Sequence, residues 1–332
     1  MKTVRMGRTG LKVSEICLGT MTFGYQCDEK TSFAIMSKAA DAGVYFIDTA
    51  DVYPVPPSIE TAGRTEEIVG RWLKGQRDRF VLATKCRMKV GPGTNDEGLS
   101  RRHIIKAVDD SLKRMQTEYI DLYQPHSFDA ETPIEETMRA LDDVVRAGKV
   151  RYLGCSNFPA WQIAIALGVS AAKDLARFDC VQPRYNLLFR DIEAELVPLC
   201  RDQGLGIIAY NPLAGGFLTG KYNSLDTAPP EKTRFSLGKT GDLYRDRYWQ
   251  HAQLEAVNEL KAYLQPRGKS LLQTSIAWVL AQPGITSAIV GASKPEQLDA
   301  SLGAVNVTLD KDELEVCNRA WYHLPRPMAA VK

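Results

Sequence analysis

Residues 80–126 read FVLATKCRMKVGPGTNDEGLSRRHIIKAVDDSLKRMQTEYIDLYQPH. Two short apolar runs, 80–86 and 120–126, bracket a segment in which Ile104, Val108, Leu112 and Met115 recur at spacings of four, four and three. That recurrence keeps the apolar side chains on one face of a 3.6-residue helix. Continuous apolar runs, by contrast, suit parallel strands buried on both faces. The stretch is a strand, a helix and a second strand.

The unit repeats along the chain. Strands are expected at 14–20, 44–49, 80–86, 120–126, 150–155, 178–183, 206–210 and 286–291, with helices between them. Thr132, Pro133 and Glu135 read as N-cap, N1 and N3 of one helix, with Gly148 at its end, and 293–296 opens another in the same manner. Gly43, Gly75 and Gly303 stand where other helices should stop. Eight strands alternating with helices form a closed barrel or an open doubly wound sheet. The GxGxxG turn of a dinucleotide-binding open sheet is missing after the first strand, and no Pro/Gly/Ser-rich linker divides the chain. The expectation is one (β/α)8 TIM barrel domain over 1–332. The polar, weakly periodic stretch 220–248 reads as a long loop acting as a lid.

Composition narrows the function classes. The 332 residues are 44% hydrophobic with a net charge of only +2, so no basic surface argues for nucleic acid or an anionic membrane. Seven scattered cysteines without CxxC speak against disulfides or zinc, and no apolar window is long enough to span a bilayer. The chain reads as a reduced, cytoplasmic, soluble protein without a bound metal. Gly268-Lys269-Ser270 imitates a P-loop tail, but Tyr263 stands where the motif needs glycine.

Barrel active sites lie at the C-terminal ends of the strands. The second, third and fourth strands end in Asp48 with Tyr53 nearby, in Lys85, and in His126. An acid, a phenol, a lysine and a histidine on three neighbouring strand ends suit carbonyl reduction, which needs a proton for the developing alkoxide. Free tyrosine, with a pKa of about 10, is a weak acid near neutrality. A nearby ammonium lowers that value, and a carboxylate holds the ammonium. Tyr53 is thus the expected acid, Lys85 its activator, Asp48 the orienting carboxylate and His126 the partner of the substrate oxygen. Ser156, Asn157 and Gln182 suit a carboxamide, Tyr210 suits stacking on a flat ring, and the helix after the eighth strand suits a phosphate.

The runs LGTMTFG (18–24), DTADVY (48–53), ATK (83–85), YQPHSFD (123–129), GCSN (154–157), VQPRYN (181–186), YNPLAGGFLTGKY (210–222) and VGASKPEQL (290–298) resemble the landmarks of the aldo-keto reductases, from about Gly7 to Gly303. The resemblance extends to bacterial-type members and to potassium-channel β-subunit-like ones. It implies a (β/α)8 barrel binding extended NADPH, with NADH a weaker alternative, and a small carbonyl substrate. It gives the same roles to Asp48, Tyr53, Lys85 and His126. It assigns the cofactor to Gly19, Thr20, Met21, Asp48, Ser156, Asn157, Gln182, Tyr210, Asn211, Pro212, Leu213, Gly215, Leu218, Lys221, Arg234, Gly291, Ser293 and Gln297.

Some positions depart from the pattern. Ala300 and Ser301 replace a frequent Glu-Asn, and Gly291 and Gln297 replace a Lys/Arg pair, so NADPH preference rests on Arg234 and Lys221. The VYPVPP segment is longer than the usual DxYG and is expected to shape the substrate mouth. Two alternatives remain open: a slow-turnover NADPH-sensing regulatory subunit, and a lyase or isomerase using Lys85 as a Schiff base. The oligomeric state, whether monomer, dimer or a larger ring, also remains open.

Overall fold

The chain opens with an antiparallel hairpin of β1 (Thr3–Arg5) and β2 (Lys12–Ser14). Strands of three residues leave no periodic trace in the sequence, so this hairpin is not among the expected elements. The computed structural model describes residues 1–325. Eight parallel strands follow: β3 (Ile16–Gly19), β4 (Phe46–Asp48), β5 (Val81–Cys86), β6 (Ile120–Pro125), β7 (Val150–Ser156), β8 (Phe178–Gln182), β9 (Gly206–Ala209) and β10 (Ile285–Gly291). They close into a barrel in that order, β10 pairing with β3. The fold is a (β/α)8 TIM barrel, and each expected strand is present with its ends shifted by no more than two residues.

The barrel's two faces follow from the two-residue period of a strand. Cys17, Phe46, Ala83, Leu122, Cys180 and Ile208 fill the interior with Met6 and Val13, so the hairpin plugs the N-terminal end. The intervening Ile47, Leu82, Tyr123, Val181 and Ile207 pack outward into the larger core beneath the helices. Asp48 and Lys85 lie two residues beyond Phe46 and Ala83, and Gln182 two beyond Cys180. Polar side chains therefore follow the interior packing layer at the C-terminal end.

The helices are α1 (Glu29–Asp41), α2 (Arg64–Leu73), α3 (Arg101–Met115), α4 (Ile134–Arg146), α5 (Ala160–Lys173), α6 (Leu196–Gln203), α7 (Gly238–Tyr248), α8 (His251–Leu264), α9 (Leu271–Ala281), α10 (Glu296–Leu302) and α11 (Lys311–Tyr322). In α3 the expected stripe is buried at Ile104, Val108 and Met115, and Ser100 caps the start by accepting from His103 N. Each such side chain contributes roughly 1.5–3 kcal/mol of burial. A Cβ on Gly70 would come within 2.6 Å of the Met115 backbone, so glycine there lets α2 close on α3.

Three local expectations are corrected. Thr132 does not cap α4: its hydroxyl turns away to donate to Asp129 Oδ2 (2.7 Å), and Pro133, which offers no side-chain acceptor, is the N-cap. At α10 the Ser293 amide donates to Gln297 Oε1 (2.8 Å), so Glu296 completes no capping box. Gly303 does end α10, as expected, though in a right-handed conformation that leads into a 3₁₀ turn at Gly303–Asn306. The stretch 220–248 is not a free loop, since it ends in a 3₁₀ turn at Arg234–Ser236 and then α7. Phe217, Tyr222, Phe235 and Trp249 pin it through ring contacts of 5.0–5.9 Å. Their bulk outweighs the polar composition that suggested mobility. The P-loop imitation is structural: Gly268 ends one turn, Ser270 caps α9, and Lys269 pairs with Glu313 at 2.5 Å.

Candidate active site

Lys85 is completely buried and donates to Asp48 Oδ2 at 2.5 Å and to the Thr49 carbonyl at 2.8 Å. Gln182 Nε2 donates to the other Asp48 oxygen, Oδ1, at 2.8 Å. The carboxylate is thus clamped from β5 and β8. Tyr53 lies on the loop after β4, its ring centroid 5.3 Å from the Lys85 ammonium. Its ring meets His126 edge-on at 5.8 Å. The His126 backbone amide donates to Cys86 O, which ties the β6 end to the β5 end. The four residues expected from three strand ends do converge. The VYPVPP segment is fastened to the mouth by Val55 N donating to Met21 O (2.9 Å), and its Tyr53–Pro54 and Val55–Pro56 bonds are cis.

The charges differ from simple expectation. Burial pushes the Tyr53 phenol up to about 12; Lys85 lowers it, but burial and Asp48 prevail. At neutral pH Tyr53 therefore keeps its proton. Burial works against the Lys85 ammonium, yet Asp48 and Tyr53 outweigh it and hold the pKa above the ordinary lysine value. Burial, then the positive charges of Lys85 and Arg87, push His126 down to about 3, so its imidazole is neutral. Its Nδ1 is buried without a partner, which leaves Nε2 as the nitrogen for a ligand.

A second group forms one network. Ser156 Oγ donates to Gln182 O, and Asn157 Nδ2 reaches Ser156 Oγ (3.0 Å) and His126 O (2.9 Å). Tyr210 OH donates to Asn157 Oδ1 at 2.8 Å. Thr20 bonds the Asp48 carbonyl through both its amide and hydroxyl, carrying Gly19 and Met21 alongside.

After β9 the chain turns sharply, with Ala214, Gly215 and Gly216 all left-handed. Asn211 Oδ1 accepts from Gly215 N and its Nδ2 donates to Tyr248 OH. A Cβ on Gly215 would meet the Tyr244 ring at 2.6 Å. Pro212 and Leu218 are buried, Leu213 packs partly against the core, and Lys221 is exposed with its ammonium 5.0 Å over Tyr222. Arg234 reaches back across the mouth, Nη1 lying 2.9 Å from Met21 Sδ, with its guanidinium 5.4 Å over Tyr244. Past Gly291, the Ser293 amide is already taken by Gln297, and α10 is barely two turns long.

Two neighbours escaped sequence reasoning. Asp51 is buried with neither carboxylate oxygen partnered. It faces Glu66, which accepts from Thr84 Oγ1 (2.6 Å) and from Arg114 Nε (2.6 Å). Arg87, the residue after β5, has a φ of 121°. Only its position two residues after Lys85 could have drawn notice.

The sequence model of the Aldo/keto reductase family matches residues 15–321. The chain belongs to the aldo/keto reductase family. It is 41% identical to "Uncharacterized oxidoreductase YrpG" of Bacillus subtilis over 325 residues, 96% of this chain and 95% of that protein. It is 39% identical to a "Probable voltage-gated potassium channel subunit beta" of Arabidopsis thaliana, covering 92% of each. It is 34% identical to "Versiconal hemiacetal acetate reductase" of Aspergillus parasiticus, covering 95% of each. This aldo/keto reductase is an oxidoreductase enzyme, in a family that acts on carbonyls and generally uses NAD(P)H. Among the described residues, no helix is long and apolar enough to cross a membrane.

Proposed function

We propose that this aldo/keto reductase reduces aldehydes or ketones to alcohols with NADPH, Tyr53 acting as proton donor. The observation that carries the reading is one mouth holding a protonated phenol, a neutral imidazole and a buried Lys85–Asp48 pair. The donor set suits the cofactor: amides at Asn157 and Gln182, the Tyr210 ring, the left-handed Gly215–Gly216 turn, and two cations at Lys221 and Arg234. NADPH rather than NADH rests on those cations, which suit an additional phosphate.

When bound, the nicotinamide supplies a hydride to the carbonyl carbon. The C=O π pair moves to oxygen, where His126 Nε2–H donates a hydrogen bond and the Tyr53 hydroxyl transfers its proton. An alkoxide is a stronger base than even a phenolate of pKa about 12, so the transfer runs downhill. The phenolate left behind faces the Lys85 ammonium and regains its proton from solvent. Lys85 is an unsuitable Schiff-base nucleophile, being fully buried, charged and bound to Asp48 and Thr49. Seven unpaired, buried cysteines accord with a reducing, cytoplasmic setting.

The test follows NADPH consumption on a panel of aldehydes and ketones. Tyr53→Phe should lower kcat by about 10²–10⁴ while keeping NADPH binding by fluorescence. A variant that retains its rate would sink the assignment. The plant channel-subunit relative supports a second reading, a slow cofactor-sensing subunit. Tight NADPH retention without turnover on the panel would favour it.

A further inference from the structure

Arg87 combines a strained backbone with an unanswered charge. It is the first residue past β5, and its φ of 121° lies where side-chain-bearing residues are rarely found. Strain of this kind persists only where surrounding structure imposes it, and it gathers at ligand sites. Here Gly98 N donates to Arg87 O (2.8 Å) on one side, and His126 N donates to Cys86 O (2.8 Å) on the other. The β5–β6 register sets Cys86 against Pro125, so Arg87 stands opposite His126.

The side chain is only partly exposed, yet among the described residues no carboxylate lies within ion-pair distance. Nε is buried without a partner, and Nη1 finds only Met88 Sδ at 3.9 Å. Asp129, the nearby acid, already accepts from Leu99 N (2.8 Å), Glu131 N (3.1 Å) and Thr132 Oγ1 (2.7 Å). The other cation of this wall, Lys85, is committed to Asp48. After burial and Lys85, the charge of Arg87 is the third influence depressing His126. A guanidinium unpaired and partly desolvated beside the imidazole suits a planar or tetrahedral anion, which its forked donors hold by two bonds.

We propose that Arg87 binds an anionic group, carboxylate or phosphate, carried by the carbonyl substrate whose oxygen sits at Tyr53 and His126. This deepens the reductase reading and rests on it. The substrates favoured are oxoacids and phosphorylated aldehydes over neutral aldehydes of the same size.

The test uses matched pairs: butanal against succinic semialdehyde for the carboxylate, and glyceraldehyde against glyceraldehyde 3-phosphate for the phosphate. Wild type should favour one or both charged members by about 10- to 100-fold in kcat/KM, and the pair showing the larger ratio identifies the anion. Arg87→Met should bring that ratio close to one, chiefly through KM of the charged member. Arg87→Lys should keep an intermediate ratio, having charge without the fork. A wild-type ratio near one in both pairs, or a ratio unchanged in Arg87→Met, overturns the role of Arg87 and leaves the reductase reading standing. No turnover of any of the four aldehydes overturns this inference, and no turnover on the wider panel of aldehydes and ketones overturns the reductase reading as well.

Discussion

His126 should remain neutral far below the pH at which an ordinary histidine charges. Its pKa falls from 6.5 to about 3, first through burial and then through Lys85 and Arg87. Three and a half units at 1.36 kcal/mol each amount to about 5 kcal/mol, and the ring's partial solvent access reduces this to roughly 2–4 kcal/mol. The sign follows from linkage. The folded pKa is depressed, so the stability this residue contributes is complete above 6.5 and is lost as pH falls toward 3. Below 6.5 the unfolded chain takes up a proton that the folded chain refuses.

Urea denaturation of wild type and His126→Asn at intervals from pH 8 to 4.5 measures the effect. Asparagine removes the titration, so the difference between the two curves isolates it. Wild type should lose up to about 2–3 kcal/mol more than the variant over that range, whatever constant offset separates them. In ring-labelled protein, the His126 resonances should show no inflection between pH 8 and 4.5. Parallel stability curves, or an inflection near 6.5, would refute both the burial argument and the neutral donor at the substrate oxygen.

Two further perturbations probe the carboxylates. Lys85→Met leaves Asp48 buried with only Gln182 as donor and should cost about 3–5 kcal/mol in urea denaturation, most of it recovered on adding Asp48→Asn; unchanged stability would mean the pair is not desolvated as described. The Asp51 carboxyl is raised well above its usual range by burial, then by Glu66, against the pull of Arg114. Its stabilising influence is complete below the ordinary carboxylate value and is lost as pH rises through the folded one. Asp51→Asn should therefore melt higher than wild type at pH 7.5 and match it near pH 4, whereas a wild type that melts higher at pH 7.5 would show Asp51 to be ionised.

The barrel was legible because its signals are local. A short, predominantly apolar run marks a strand at β5 or β6 whatever surrounds it, and the four-four-three spacing marks α3 before any partner is known. The site's outline was legible for the same reason: a TIM barrel places strand ends together, so Asp48, Lys85 and His126 had to meet once the strands were located. Hydrogen-bond choices were not local. The Thr132 hydroxyl could serve the first amides of α4 or donate to Asp129, and only the folded arrangement selects the carboxylate. The stretch 220–248 looked mobile by composition, because Phe235 and Trp249 find their aromatic partners only in three dimensions. The fate of charge was likewise tertiary. Sequence pairs Lys85 with Tyr53 and implies a more acidic phenol, but burial, which depends on everything packed around the ring, raises it instead. The partnerless Asp51 and the strained, unpaired Arg87 lie in that same class. Residue types and spacing determine which groups reach the mouth, while the surrounding packing decides which of them are satisfied, charged or left waiting for a ligand.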